Sequence, residues 1–202
     1  MRKGLGLRAF LEDVRGKRYR FRQFVDVFFF VLILVVAQPV PWTLAAGACF
    51  ALVGLAVRLW ASGFIFKNDE LATDGPYAFV RHPLYFGNLL LGIGFALASG
   101  TERVWLLPLC VLALPLWGLL FWLFHGPAIK REDGQLSKRF PDAWPDWAAR
   151  TPALLPLGLL KLKGKPDLGR WSPKQSLHNG DPLYALILLG GLVYLYLQLP
   201  KH

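Results

Sequence analysis

A chain of 202 residues that is 54% hydrophobic, with mean hydropathy +0.39, is expected to form one unit spanning residues 1–202 rather than several domains. Its net charge of +10 does not indicate a nucleic-acid binder, because the basic residues flank apolar runs instead of interleaving with an exposed stacking platform. The apolar residues gather in long runs with few charges, and eight tryptophans accompany them, which is the pattern of a membrane protein.

Residues 1–23 carry eight Lys and Arg against Glu12 and Asp13, and read as a basic segment lying along the cytoplasmic membrane surface. From Phe24 to Ile65 the chain is almost continuously apolar. As a helix that stretch would run roughly 60 Å, twice a hydrocarbon core of about 30 Å, so it must turn back. Gln38-Pro39-Val40-Pro41 supplies the break, giving spans near 24–38 and 42–64. Arg58 falls about two turns from the end of the second span, where it can snorkel or point into a polar cavity. Residues 66–83 form a polar loop, and Leu84 to Ala98 a third span. After a turn at Ser99-Gly100-Thr101-Glu102, a fourth span runs from Val104 to Phe124, with Pro108 and Pro115 as kinks. A charged, Pro-rich region follows, with a separate helix over Ala128 to Arg150, and Leu183 to Leu199 forms a fifth span. Cys49 and Cys110 each sit inside an apolar run without CxxC spacing and are expected in the core.

The expected fold is therefore all-α, a polytopic membrane bundle of about five helices. Twenty of the 23 Lys and Arg fall on one face of it: eight before the first span, Lys67 and Arg81 after the second, and ten between 125 and 181. That face is expected to be cytoplasmic, with the N-terminus inside, as in a bacterial inner membrane. It also carries two polar stretches able to build one site, "DGPYAFVRHPLYFGN" (Asp74 to Asn88) and "KREDGQLSKRFPDAW" (Lys130 to Trp144). Gly75-Pro76 makes a turn, and Pro83 suits the first turn of the third span. Arg81 and His82 then stand at a helix mouth, where unpaired N–H groups and the dipole favour a carboxylate. Glu132 and Asp133 open the other stretch and can hold an ammonium, while Tyr77 and Tyr85 can flank a positive centre. Each signal has a plainer reading: Arg81 as a headgroup anchor, His82 as a cap, the tyrosines as interfacial aromatics and the acidic pair as a solvated helix start.

"GPYAFVRHPLYFGNLL" resembles the RHPxYxG signature of the isoprenylcysteine carboxyl methyltransferase and phospholipid methyltransferase superfamily. "RLWASG" (Arg58 to Gly63) is similar to the segment that precedes it there, and "REDGQLSKRFPDAWPDWAARTPALLP" to the family's downstream motif. The resemblance covers about residues 58–156 and leaves the fifth span, 183–199, outside. It implies a membrane-embedded enzyme that uses S-adenosylmethionine, yields S-adenosylhomocysteine, and takes a lipophilic acceptor from the bilayer. Carried over by position, the cofactor contacts are Asp69, Glu70, Leu71, Ala72, Tyr77, His82, Pro83, Leu84, Tyr85 and Glu132, and Arg81 is the motif arginine, assigned to catalysis. Trp144 and Trp147 stand where tyrosines are usual, and Pro141 where glycine is common. Ala128 occupies the turn in which eukaryotic members place the arginine that handles a prenylcysteine carboxylate, which disfavours a prenylated protein as acceptor.

Methyl transfer from a sulfonium is an in-line displacement that needs alignment more than acid–base help. An amine acceptor must still lose a proton, for which His125 is the candidate base. Trp144, Trp147 and His178 are expected around the acceptor. The histidines show no paired spacing, so no metal is expected. Two other readings remain at this level: an NADPH-dependent membrane reductase of the sterol-reductase type, which shares a similar RHPxYxG run, and a non-catalytic membrane scaffold.

Overall fold

A computed structural model describes residues 24–65, 70–100, 107–156, 171–179 and 181–200, apart from the side chains of 107–111. Among these residues the chain is all-helical, with seven α-helices and no strand. They are α1 (Phe24–Val36), α2 (Pro41–Ser62), α3 (Pro83–Ala98), α4 (Leu107–Arg139), α5 (Trp144–Arg150), α6 (Pro173–His178) and α7 (Asp181–Leu197), with a 3-10 turn at Gly75–Ala78. Two of them, α2 and the part of α4 from Leu112 on, are long and apolar enough to cross a membrane, and α1, α3 and α7 are shorter apolar helices.

The break after α1 falls at the expected prolines. Thr43 Oγ1 accepts the Val40 N–H at 3.3 Å and donates to the Val40 carbonyl at 3.1 Å, closing the first turn of α2. α2 and α3 then run antiparallel along a seam of small residues, with Gly47 and Ala51 facing Gly94, and Gly54 facing Gly87. A Cβ at Gly54 would lie 2.7 Å from the Gly87 carbonyl oxygen, so only hydrogen at this position lets the two backbones approach so closely.

Aromatic side chains join the other helices to this pair. Phe29 of α1 stacks on Trp117 of α4 at 4.8 Å, and Phe30 meets Phe95 of α3 edge-on at 4.8 Å. Trp117 lies across Gly92 and donates its indole N–H to the Leu89 carbonyl at 3.2 Å. α7 packs Gly191 against Phe30 and Phe95.

The C-terminal part is tied down by polar bonds. Residues 171–179 lie over the end of α2: Ser172 N–H donates to Gly63 O, Asn179 Nδ2 to Ser62 O at 2.8 Å, and Ser62 and Ser176 share a bond of 2.7 Å. Arg58 takes the inward course rather than snorkelling. It pairs with Asp181 at the start of α7, donates to Asn88 Oδ1 at 2.7 Å, and its guanidinium lies 4.5 Å from the centre of the Tyr184 ring.

Two expectations need correction. The fourth span and the following helix are one helix of 33 residues, which passes through Pro115 and Pro127 and ends at Arg139; α5 is a separate short helix. A proline removes one donor, and Pro127 stands on the exposed side of α4, where the neighbouring turns continue regardless. Cys49 is exposed on the outer face of α2 rather than in the core, and the Cys110 side chain lies outside the described residues.

Candidate active site

Gly75 opens the 3-10 turn at φ +53°, a conformation that favours glycine, and its α-carbon rests on the Phe64 ring. The turn buries Tyr77, whose carbonyl accepts the Trp147 indole N–H at 3.1 Å. Burial, with the charges of Glu132 and Asp181 adding to it, pushes the Tyr77 phenol well above its ordinary pKa, so it is neutral at physiological pH.

Four residues after Tyr77, the chain lies against the segment after α5. Arg81 N–H donates to Pro152 O at 2.9 Å and His82 N–H to Ala153 O at 3.1 Å. α3 follows with Pro83 in its first turn, where no backbone donor is required. This pairing aims the Arg81 and His82 side chains at α4. Arg81 donates to Asp133 Oδ2 at 2.9 Å and to Ala148 O at 3.0 Å, and lies 5.4 Å from the centre of the Trp144 ring. His82, 4% exposed, sets Nε2 2.7 Å from Asp133 Oδ1 and Nδ1 3.8 Å from Glu132. Asp133 thus fixes both motif side chains and leaves Glu132 turned outward.

Outward is a cavity of about 690 Å³, within the range of about 300–1,000 Å³ usual for small-molecule and cofactor sites. Its wall includes Glu70, Leu71, Ala72, Tyr77, Arg81, His82, Pro83, Leu84, Tyr85, Glu132 and Trp147. Nine of the ten expected cofactor residues are therefore gathered around one space, although 47 residues separate Tyr85 from Glu132. The tenth, Asp69, lies outside the described residues.

The remaining wall was missed from sequence: Ile65 at the end of the α2 segment, and Gln135, Leu136, Lys138, Arg139 and Phe140 at the end of α4. Helical spacing from Glu132, within the helix expected over Ala128 to Arg150, points to Gln135, Leu136 and Arg139 at three, four and seven residues on. Of the residues expected at the acceptor, Trp147 lines the cavity and Trp144 stands behind it, 5.4 Å away ring to ring. His178 is exposed on α6 and off the cavity wall. His125 is also off the wall, 1% exposed, and stacked on Phe121 at 4.5 Å inside the bundle.

One end of the cavity carries the first turn of α3, a source of unpaired N–H groups and positive potential, and the carboxylate of Glu132 stands on α4. Tyrosine, tryptophan and leucine side chains fill the space between. This donor set suits a ligand with separate anionic and cationic groups and an aromatic or aliphatic body.

Residues 42–123, covering most of α2, all of α3 and over half of α4, match the phospholipid methyltransferase family. A protein-S-isoprenylcysteine O-methyltransferase of Schizosaccharomyces pombe is 30% identical over 91 residues, 45% of this chain and 35% of that protein. Over these stretches the chain is similar to the membrane methyltransferase superfamily. Other relatives within reach carry resistance names. A nickel-cobalt-cadmium resistance protein of Alcaligenes xylosoxydans xylosoxydans is 39% identical over 112 residues, and a cobalt-zinc-cadmium resistance protein of Cupriavidus metallidurans 41% identical over 114. Each match takes in 54% of this chain and 46% of the relative, so the chain spans less than half the length of the curated relatives it matches. No solved structure matches it.

Proposed function

We propose that this protein transfers a methyl group from S-adenosylmethionine to a lipophilic acceptor at the cytosolic face of a membrane. The observation that carries this reading is the convergence of the two superfamily motifs on one cavity, with Glu132 and the first turn of α3 on its wall. The bound cofactor supplies a methyl carbon activated by a sulfonium. Glu132 would hold its ammonium and the N-terminal turn of α3 its carboxylate, while the Tyr77 and Tyr85 rings on the same wall could flank a positive centre. The protein's task is then alignment, and the Asp133 bonds to Arg81 and His82 keep the near wall in place for it.

Calorimetry with detergent-purified protein tests the assignment. S-adenosylhomocysteine is expected to bind, and Glu132→Gln should weaken it about thirtyfold, the lower end of the cost for losing one partner of a charged hydrogen bond because Glu132 is half exposed. Unchanged affinity in that variant removes Glu132 from the site, and binding of NADPH in place of S-adenosylhomocysteine overturns the reading in favour of a reductase.

The same reading makes α1, α2, α3, α7 and the first part of α4 five membrane spans, with the N-terminus cytoplasmic and the cavity at the cytosolic end. The charge asymmetry supports this orientation. Cysteines placed at Asp74 and Thr101 are expected to label from the inside and the outside, respectively. Labelling of both from one side would sink the arrangement.

The acceptor is then a lipid or lipophilic metabolite rather than a prenylated protein. Ala128 is buried on the inner face of α4 and offers no cation for a prenylcysteine carboxylate. Trp147 on the cavity wall, with Trp144 behind it, suits a bulky apolar body.

A further inference from the structure

Behind the cavity wall the apolar bundle holds charge. Ionisable side chains there are costly, and each calls for a partner. Among the described residues two pairs answer to this: Asp26 of α1 with His125 of α4, and Arg58 of α2 with Asp181 at the start of α7. In the second pair Asp181 is buried and Arg58 mostly so. A buried ion pair is a weak source of stability, because desolvation offsets much of its attraction. Apolar contacts, such as Gly191 against Phe30 and Phe95, already pack α7 on the bundle. The pair needs another use.

What Arg58 reaches supplies one. A guanidinium presents its N–H groups in a rigid planar fork. Nη2 is held by Asp181, and the Tyr184 ring of the same helix lies 4.5 Å from the guanidinium carbon. Nη1 donates to Asn88 Oδ1 at 2.7 Å and to the Leu84 carbonyl at 3.4 Å. Leu84 and Asn88 are four residues apart, so the fork grips one face of α3 at its start. Gly87 permits the approach, since a Cβ there would lie 2.5 Å from Arg58 Cγ. Nε has no partner among the described residues, which leaves the charge to these acceptors and the ring.

Leu84 stands on the wall of the large cavity, between Pro83 and Tyr85. The Tyr77 phenol on the same wall, raised first by burial, also feels Glu132 in the cavity and Asp181 behind it, so the pair lies close behind that wall. Gln175 of α6 makes a bond of the same kind, donating to the carbonyl of Ile65, another wall residue. We infer that Arg58, braced by Asp181, is a positioning residue that sets the first turn of α3 for the bound ligand. It follows that α6 and α7, beyond the residues 42–123 matched to the methyltransferase family, belong to the functional site. This inference rests on the methyltransferase reading for the identity of its ligand.

The test reads S-adenosylhomocysteine calorimetry and thermal unfolding side by side on the full chain in detergent micelles. Arg58→Lys keeps a charge for Asp181, but one ammonium cannot span Asp181, Asn88 and Leu84 as the fork does. Its unfolding temperature should stay within about 3 °C of the wild type while affinity falls about tenfold, the scale of one lost bond to a charged group. Asp181→Asn, itself off the cavity wall, should weaken binding at least threefold, and it carries the test if Arg58→Lys does not fold. Leu188→Ala, at a buried position two turns along α7 from Asp181, should do the opposite: its unfolding temperature falls by about 5–10 °C and its affinity stays within twofold. Wild-type affinity in both Arg58→Lys and Asp181→Asn overturns the inference. So does an equal loss of affinity in Leu188→Ala, which would make α7 a prop for the bundle, or failure of both pair variants to fold. A wild type that binds no S-adenosylhomocysteine refutes instead the reading on which the inference stands.

Discussion

Replacing Asp133 with alanine is expected to destabilise the protein by about 3 kcal/mol, because one side chain satisfies two motif residues at once. Its Oδ2 accepts from Arg81 and its Oδ1 faces His82 Nε2. Arg81 is 16% exposed and its Nε already lacks a partner, so after the change its charge would rest on the Ala148 carbonyl alone. Removing one partner of a buried ion pair costs about 3–5 kcal/mol, and the partial exposure of Asp133 favours the lower end. For a chain of this size the unfolding temperature should fall by roughly 6–12 °C. Thermal unfolding in detergent checks this, with Glu132→Gln as the neighbouring control that should hardly move it. A double variant, Asp133→Ala with Arg81→Ala, should lose less than the two single losses combined, since the two side chains share one interaction. A shift of under a degree in Asp133→Ala would show that the wall stands without this bond.

A still larger effect is expected at the seam of α2 and α3. A Cβ at Gly94 would lie 2.6 Å from the Ala51 nitrogen and 2.7 Å from the Gly47 carbonyl oxygen, both backbone atoms that cannot rotate away. Overpacking among side chains typically costs about 1–3 kcal/mol, and here the helices themselves must separate. Since α3 carries Pro83, Leu84 and Tyr85 on the cavity wall, separation would also dismantle the site. Gly94→Val should therefore yield no monodisperse protein on size-exclusion chromatography. Gly118→Val on α4, where nothing lies within 4 Å of a Cβ, should behave as the wild type. Recovery of folded, S-adenosylhomocysteine-binding Gly94→Val would mean the seam is looser than drawn.

How far such features could be read beforehand depends on their range. The helices were legible from apolar run lengths, and the break between α1 and α2 from Pro39 and Pro41, because both are local properties. The convergence of Tyr85 and Glu132 was legible from the basic face their two stretches share and from the family motifs, since no periodicity links positions on different helices. The reading that ended one helix at Phe124 and began another at Ala128 failed because α4 runs on through Pro127: inside a helix a proline removes one hydrogen bond but does not end it when flanking turns continue. The partners of Arg58 and His125 were invisible for another reason. Asp26 and Asp181 are single charges at apolar stretches, and only packing reveals which side chain each one meets.

The unbroken course of α4 sets the mechanical relation between the bundle interior and the cavity wall. His125 and Glu132 are seven residues apart on it, two turns or roughly 10 Å, and point to nearly the same side. One rod thus holds a buried side chain packed among aromatics at one level and an acidic side chain of the cavity wall at the next. Rolling or sliding that rod cannot adjust one without displacing the other. A ligand that shifts Glu132 would therefore be felt in the packing of the bundle, and a change in that packing would be felt at the cavity.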